Sequence, residues 1–221
     1  MNPILGESCF RLHLLRRFGI AVAVLLFVSA CSILPATENL EIYQLPAAEP
    51  PSYSSGDSLP WTLRLATPYS SYITDSPRVL ALRQGNQLSS YKGIRWSDPA
   101  PVLLRNRLAA AFRADGRFNS VSNGSSNNLA TDLELGGDLS AFQVEYTNGG
   151  PQATIRFYAT LSQPLRNRIV AARGFEVSEP VQSRGTSEII TAFGLGADRL
   201  AAEIIDWTVQ QGRALQTGAK E

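Results

Sequence analysis

The chain has 221 residues, with 20 Lys+Arg against 19 Asp+Glu and a formal net charge of +1. That balance gives no electrostatic case for nucleic acid as a partner, and that class is excluded. The only histidine, His13, and both cysteines, Cys9 and Cys31, fall within the first 31 residues. The rest of the chain therefore has no Cys or His ligands for zinc, and no base for Ser-His-Asp or Cys-His catalysis.

The first element is a signal. Arg11, Arg16 and Arg17 form a basic region, and Phe18 to Ala30 is an uncharged apolar run of 13 residues. A bilayer-crossing helix needs about 20 such residues, whereas a signal-peptide core needs fewer. The competing reading is an anchor helix with an incidental cysteine. It is disfavoured by the short run and by Pro35 and the Pro-rich stretch behind it, which do not continue a helix. The run ends in Val28-Ser29-Ala30-Cys31, a pattern that resembles the lipobox of bacterial lipoproteins. The resemblance implies cleavage between Ala30 and Cys31, diacylglycerol on the Cys31 thiol, and acylation, palmitate included, of the new amino terminus. A thiolate is the side-chain nucleophile suited to forming that thioether. Each buried methylene adds about 0.8 kcal/mol of membrane affinity, so two or three chains hold far more firmly than one.

Removal of residues 1–30 leaves 191 residues with 17 Lys+Arg against 18 Asp+Glu, no His, no Met and Cys31 as the sole thiol. No disulfide can then form within the chain, although an envelope compartment would allow one. That length supports one domain with a sizeable core. The expected organisation is signal peptide 1–30, lipidated tether 31–60, globular domain 61–212 and a flexible tail over 213–221.

Within the tether, rich in Pro, Ser, Ala and Glu, Glu41 to Leu45 is a short apolar stretch able to serve as a first strand. Trp61 to Ala66 alternates as a strand does. Pro68 to Pro77 is a loop carrying several aromatics. Arg78 to Arg83 and Leu88 to Trp96 read as a hairpin turning at Gln84-Gly85-Asn86-Gln87. Ser97-Asp98-Pro99-Ala100-Pro101 supplies a capping residue and first-turn prolines for a helix to about Ala114, with Leu104, Leu108, Ala111 and Phe112 facing the core and Asp115-Gly116 stopping it. Phe118 to Val121 is a short strand, and Asn123 to Asn128 a polar loop. In Thr131 to Tyr146, Leu133, Leu135, Gly137 and Leu139 alternate, and then Phe142, Val144 and Tyr146 continue out of phase, which predicts a bulge near Ser140-Ala141. Gln152 to Leu161 and Ile169 to Val177 complete an antiparallel meander. A last helix spans about Thr186 to Gly212, with Ile189, Ile190, Phe193, Leu200, Ile204 and Trp207 at helical spacing. Gly194 and Gly196 within it either permit close packing or mark a break. The fold class is α+β, a mainly antiparallel sheet with two amphipathic helices on one face.

The order of landmarks carries a resemblance. Cys31, Tyr43-Gln44-Leu45, Arg78-Val79, Tyr91 and Arg95-Trp96 are followed by a Leu/Ala helix closing on Gly116-Arg117-Phe118. Then come Leu139-Ser140-Ala141-Phe142, Arg173-Gly174-Phe175, Ala192-Phe193 and Trp207. Together these resemble the ABC-type transport auxiliary lipoproteins, the group that includes paraquat-inducible protein C, over nearly the whole mature chain. The resemblance implies a non-enzymatic subunit, without cofactor or metal, of a lipid transport system. Its implied partners are an MCE-domain protein and an ABC permease/ATPase complex, with a homo-oligomer left open. The domain would face the periplasm from the outer membrane, because residue 32 is Ser rather than the Asp that retains enteric lipoproteins in the inner membrane. The inner membrane is the alternative.

Other residues are weighed individually. Tyr69, Tyr72 and Ile73, in a Pro-bounded loop, are hard to place in a core and are the leading candidates for partner or lipid contact. Trp96 is a weaker candidate, since a Trp there more readily covers the end of the core; Trp207 also reads as core. The acidic pairs Asp132/Glu134 and Glu176/Glu179 could be offered as acid–base dyads, but nothing in their spacing makes them converge in a cleft. Arg166 and Arg168, flanking Asn167 in a turn, read as solvated. Two other functions stand beside the adaptor: a carrier holding lipid in a cavity of its own, and an activator of a cell-wall enzyme.

Overall fold

A computed structural model describes residues 39–46, 58–84, 86–124, 131–183 and 185–218. The signal, Ala30, Cys31, most of the tether and the greater part of the Asn123–Asn128 loop lie outside the described residues.

Nine strands and two helices occur among the described residues. The strands are β1 (Glu41–Tyr43), β2 (Leu59–Leu65), β3 (Tyr69–Ser70), β4 (Arg78–Arg83), β5 (Gln87–Trp96), β6 (Phe118–Ser122), β7 (Leu133–Thr147), β8 (Gly150–Gln163) and β9 (Arg168–Pro180). The helices are α1 (Ala100–Asp115) and α2 (Thr186–Gly218). The fold is α+β, with one mixed sheet whose antiparallel ladders, β4–β5, β7–β8 and β8–β9, hold most of the residue pairs.

Strand β7 organises the sheet. Along one edge it pairs with β8 through almost its full length. Along the other it takes three short parallel partners in succession: β2 at Leu133–Leu135, β3 at Asp138–Leu139 and β4 at Gln143–Glu145. Beyond β2 lies β6, also parallel, and beyond β4 lie β5 and then β1. The register of β7 against β8 shifts between Leu139 and Ala141, at the bulge expected from the phase slip. This extra residue lets Leu133, Leu135 and Leu139 before it, and Phe142 and Val144 after it, all reach the core. Just upstream, Gly137 has φ 136°, and a Cβ there would lie 1.9 Å from the Tyr158 carbonyl oxygen, so the position excludes any side chain.

Helix α1 begins at Pro99 without a side-chain cap, a departure from the expected capping residue: the Ser97 hydroxyl donates to Asp98 Oδ2 (2.9 Å) instead. Pro at its start needs no amide partner. Gly116, left-handed at φ 74°, ends it and returns its N–H to the Phe112 carbonyl. Leu104, Leu108 and Phe112 are buried, with Ala111 at the margin of the core.

Helix α2 is unbroken through Gly194 and Gly196 and runs six residues past the expected end, so the segment taken for a tail is helical as far as Gly218. Its glycines are packing positions. A Cβ on Gly196 would touch Glu179, Val177 and Ile155, and one on Gly194 would crowd Pro46. At Gly212 a Cβ would come 2.9 Å from Leu59, while the Gly212 carbonyl accepts the Trp61 indole N–H (3.1 Å).

The two helices are joined by a salt bridge between Arg107 and Asp198. Burial lowers the pKa of Arg107. A second link runs from Asp115, buried at the end of α1, to Arg117 (2.7 Å) and on to Asp206 of α2 (2.8 Å). The hydrogen bond that Arg117 donates to Asp115 is the main cause that raises the Arg117 pKa.

Candidate functional site

Large side chains pack between sheet and helices. Trp96, wholly enclosed, meets Phe142 and Phe193 edge to face at 5.7 and 5.3 Å, and those two rings stack at 4.7 Å. Trp96 is thereby corrected from a candidate contact to a core residue, because its place beside Tyr43 in register puts it on the covered face. Trp207 is likewise core, edge to face with Phe175 at 5.6 Å.

The sheet face away from the helices is where side chains meet solvent. Tyr69 opposes Asp138, and Asp138 opposes Tyr158, so the two tyrosines stand in one row across that face. Past Tyr69 the chain is fixed by its own hydrogen bonds. The Asp75 N–H donates to the Ser71 carbonyl (2.8 Å), Ser71 Oγ lies 3.0 Å from Thr74 Oγ1, and the Ser76 hydroxyl donates to the Ile73 carbonyl (2.7 Å). Thr74 is buried beneath this turn, Ile73 is half-buried, and Tyr72 stands out 96 % exposed with Tyr69 at 75 %. Two aromatic rings on an ordered loop lose little freedom when something closes over them.

Two open hollows stand out among the described residues, one of them against Tyr158. One, of about 380 Å³, lies over Gly174 and is lined by Ser140, Arg156, Tyr158 and Glu176. Arg156 donates to both oxygens of Glu176 (2.8 and 2.9 Å); that bond holds the Glu176 carboxyl below its ordinary pKa against an opposing effect of burial. The other, of about 260 Å³, is lined by Arg64, Thr67, Arg105 and Glu134. Its charges are answered from within: Arg64 pairs with Glu134, and Arg105 donates to Thr67 Oγ1 (2.7 Å).

The acidic pairs do not act as dyads. Asp132 accepts both the Thr62 N–H and its hydroxyl at 2.8 Å, while Glu134 serves Arg64. Glu176 serves Arg156, and Glu179 pairs with Arg199 of α2 at 2.9 Å. No cluster of three or more His, Cys, Asp or Glu able to hold a metal occurs among the described residues. Arg166 and Arg168 sit at the β8–β9 turn, where Asn167 is left-handed at φ 47° and Leu165 and Ile169 are exposed beside them. Near the end of β7, the hydroxyls of Tyr91 and Tyr146 lie 2.9 Å apart with the Arg83 guanidinium over the Tyr146 ring, and burial, followed by that hydrogen bond, raises the Tyr91 pKa.

One exposed group escaped the sequence reading. Ile42 of β1, Arg95 of β5 and Arg78 of β4 form a single register row on the uncovered face, with Leu40 two residues before Ile42. Only the strand pairing brings them together, since Arg78 and Arg95 are 17 positions apart and each reads alone as an ordinary strand residue.

The chain is similar to known structures over most of its length. A Xanthomonas campestris protein of the DUF330 family shares 27% identity at a TM-score of 0.72, with 80% of this chain and 98% of that one covered. An uncharacterized protein shares 18% identity at a TM-score of 0.61, with 77% and 99% covered. No curated protein sequence matches. The family model described as the ABC-type transport auxiliary lipoprotein component matches residues 43–205, from the first strand well into the last helix. That span takes in the tyrosine row, the filled core and both helices, and the chain belongs to this family of lipoproteins that serve ABC-type transport.

Proposed function

We propose that the chain is the non-catalytic, periplasm-facing subunit of an MCE/ABC-type lipid transport system, lipidated at Cys31 and receiving or anchoring the MCE assembly at the outer membrane. Membership of an auxiliary transport lipoprotein family supports the coarse part of this reading. The observation that carries the adaptor role is the hydrogen-bonded loop holding Tyr72 96 % exposed beside Tyr69, on a face that nothing among the described residues covers. Exposed aromatics on a fixed frame are what contact hot spots are built from. A carrier with its own lipid cavity is disfavoured, because Trp96, Phe142, Phe157 and Phe193 occupy the interlayer space that a bound acyl chain would need. Ser32 supports export to the outer membrane.

The test is a photo-crosslinking residue at position 72 of the full lipidated chain in its host cells. The expected product is a covalent adduct with an MCE-domain protein, and Tyr72→Ala should weaken co-purification of that partner about thirtyfold, the magnitude of a hot spot of about 2 kcal/mol. Adducts with a cell-wall synthase and no transport component would overturn the proposal in favour of an activator.

A further inference from the structure

The row Ile42–Arg95–Arg78 has two features that folding alone does not explain. Arg78 and Arg95 face each other directly across the β4–β5 ladder, an arrangement in which like charges repel. Neither makes an ion pair among the described residues, and the same holds for Lys92 nearby on β5, so three cations lie close together on this edge without a carboxylate partner. Glu41, the acidic residue of β1, is in register with buried Ile94 rather than with this row, and accepts the Tyr43 hydroxyl (2.5 Å). Beside the two guanidinium groups, Leu40 and Ile42 are 50 % and 56 % exposed. The patch thus combines unanswered positive charge with exposed aliphatic carbon, the pairing that settles at the boundary between lipid head groups and acyl chains.

Its position in the chain names the occupant. Leu40 follows Cys31 by nine residues, a contour of at most roughly 30 Å. We infer that the edge formed by Leu40, Ile42, Arg78, Arg95 and Lys92 lies against anionic phospholipid head groups of the leaflet that holds the anchor, so that the domain is oriented on the membrane as well as tethered to it. The inference rests on the proposed lipidation of Cys31. The β8–β9 turn, with Leu165, Arg166, Arg168 and Ile169, has similar composition but lies toward the opposite edge of the sheet from β1.

The mature chain carrying Cys31→Ser isolates the patch from the anchor. In flotation with vesicles of phosphatidylglycerol and phosphatidylethanolamine, this chain should bind, lose binding as ionic strength rises, and ignore vesicles of phosphatidylcholine. R78Q/R95Q should weaken binding about thirtyfold, at roughly 1 kcal/mol per cation near an anionic surface. R166Q/R168Q should leave it unchanged, with thermal melts confirming that both variants are folded. No binding, equal binding to both vesicles, or a loss confined to R166Q/R168Q would overturn the inference. Capture of a protein through Arg78 and Arg95 without vesicle binding would overturn it too. Metabolic labelling of the unaltered chain with alkyne-palmitate tests Cys31 separately, so failure of the anchor and failure of the patch give different results.

Discussion

At Gly137 the backbone leaves no room for a Cβ, which would sit 1.9 Å from the carbonyl oxygen of Tyr158 on the neighbouring strand. Because the obstacle is main chain in the middle of the longest ladder, no rotamer change relieves it. Gly137→Ala should destabilise the domain by on the order of 3 kcal/mol, combining a left-side backbone penalty with overpacking, and urea denaturation measures the loss. Ionisation gives a gentler test. Arg156 holds the folded-state pKa of Glu176 below its ordinary value, so this carboxylate contributes stability that is present at neutral pH and is lost as pH falls through the folded pKa. Glu176→Gln should therefore lower stability at pH 7 by less than about 1 kcal/mol, as for an exposed pair. The difference from the parent chain should vanish in acid melts below the ordinary carboxylate range.

At the scale of elements, the join between α1 and α2 depends on a carboxylate that has almost no water. Asp115 is 3 % exposed and is answered by Arg117, which also reaches Asp206. Removing the cation leaves that charge buried, so Arg117→Met should reduce stability by about 3 kcal/mol, while D115N/R117M should recover part of the loss; paired thermal melts read both. What the sequence disclosed about the elements has a physical boundary. The bulge in β7 was legible because a phase slip in a period-two pattern is local. The end of α2 was not, because Gly212 reads as a helix stop through its propensity, whereas its actual role is contact with Trp61, 151 positions away. In the same way, alternation told which residues face the core but not which strand lies beside which. The parallel docking of β2, β3 and β4 along β7 and the Ile42–Arg95–Arg78 row therefore stayed hidden. Tyr72 was legible as a surface group because a proline-bounded loop offers a large ring no periodic face to join, whereas the pairing of Tyr69 in β3 with β7 stayed hidden.

For the whole molecule, the aromatic rings packed between sheet and helices favour the proposal that lipid is met at the surface rather than held inside. Phe193 touches both Trp96 and Phe142, so Phe193→Ala should open a cavity and cost about 4 kcal/mol, as large aromatic truncations do. In the unaltered domain these rings are buried against one another, and native mass spectrometry of the Cys31→Ser chain purified from cells should show the protein mass without retained phospholipid. A retained diacyl lipid would restore the carrier reading.

The three short strands docked along one edge of β7 also set an order of events during biogenesis. A chain exported amino terminus first delivers β2, β3 and β4 well before Leu133 to Thr147 arrives. Until then those strands lack the ladder partner that fixes their place, and their pairings close long loops, the contacts that make sheet folding slow. The β4–β5 hairpin, α1 and the β2–β6 pair can form locally, but their places in one sheet are set only when the spine arrives.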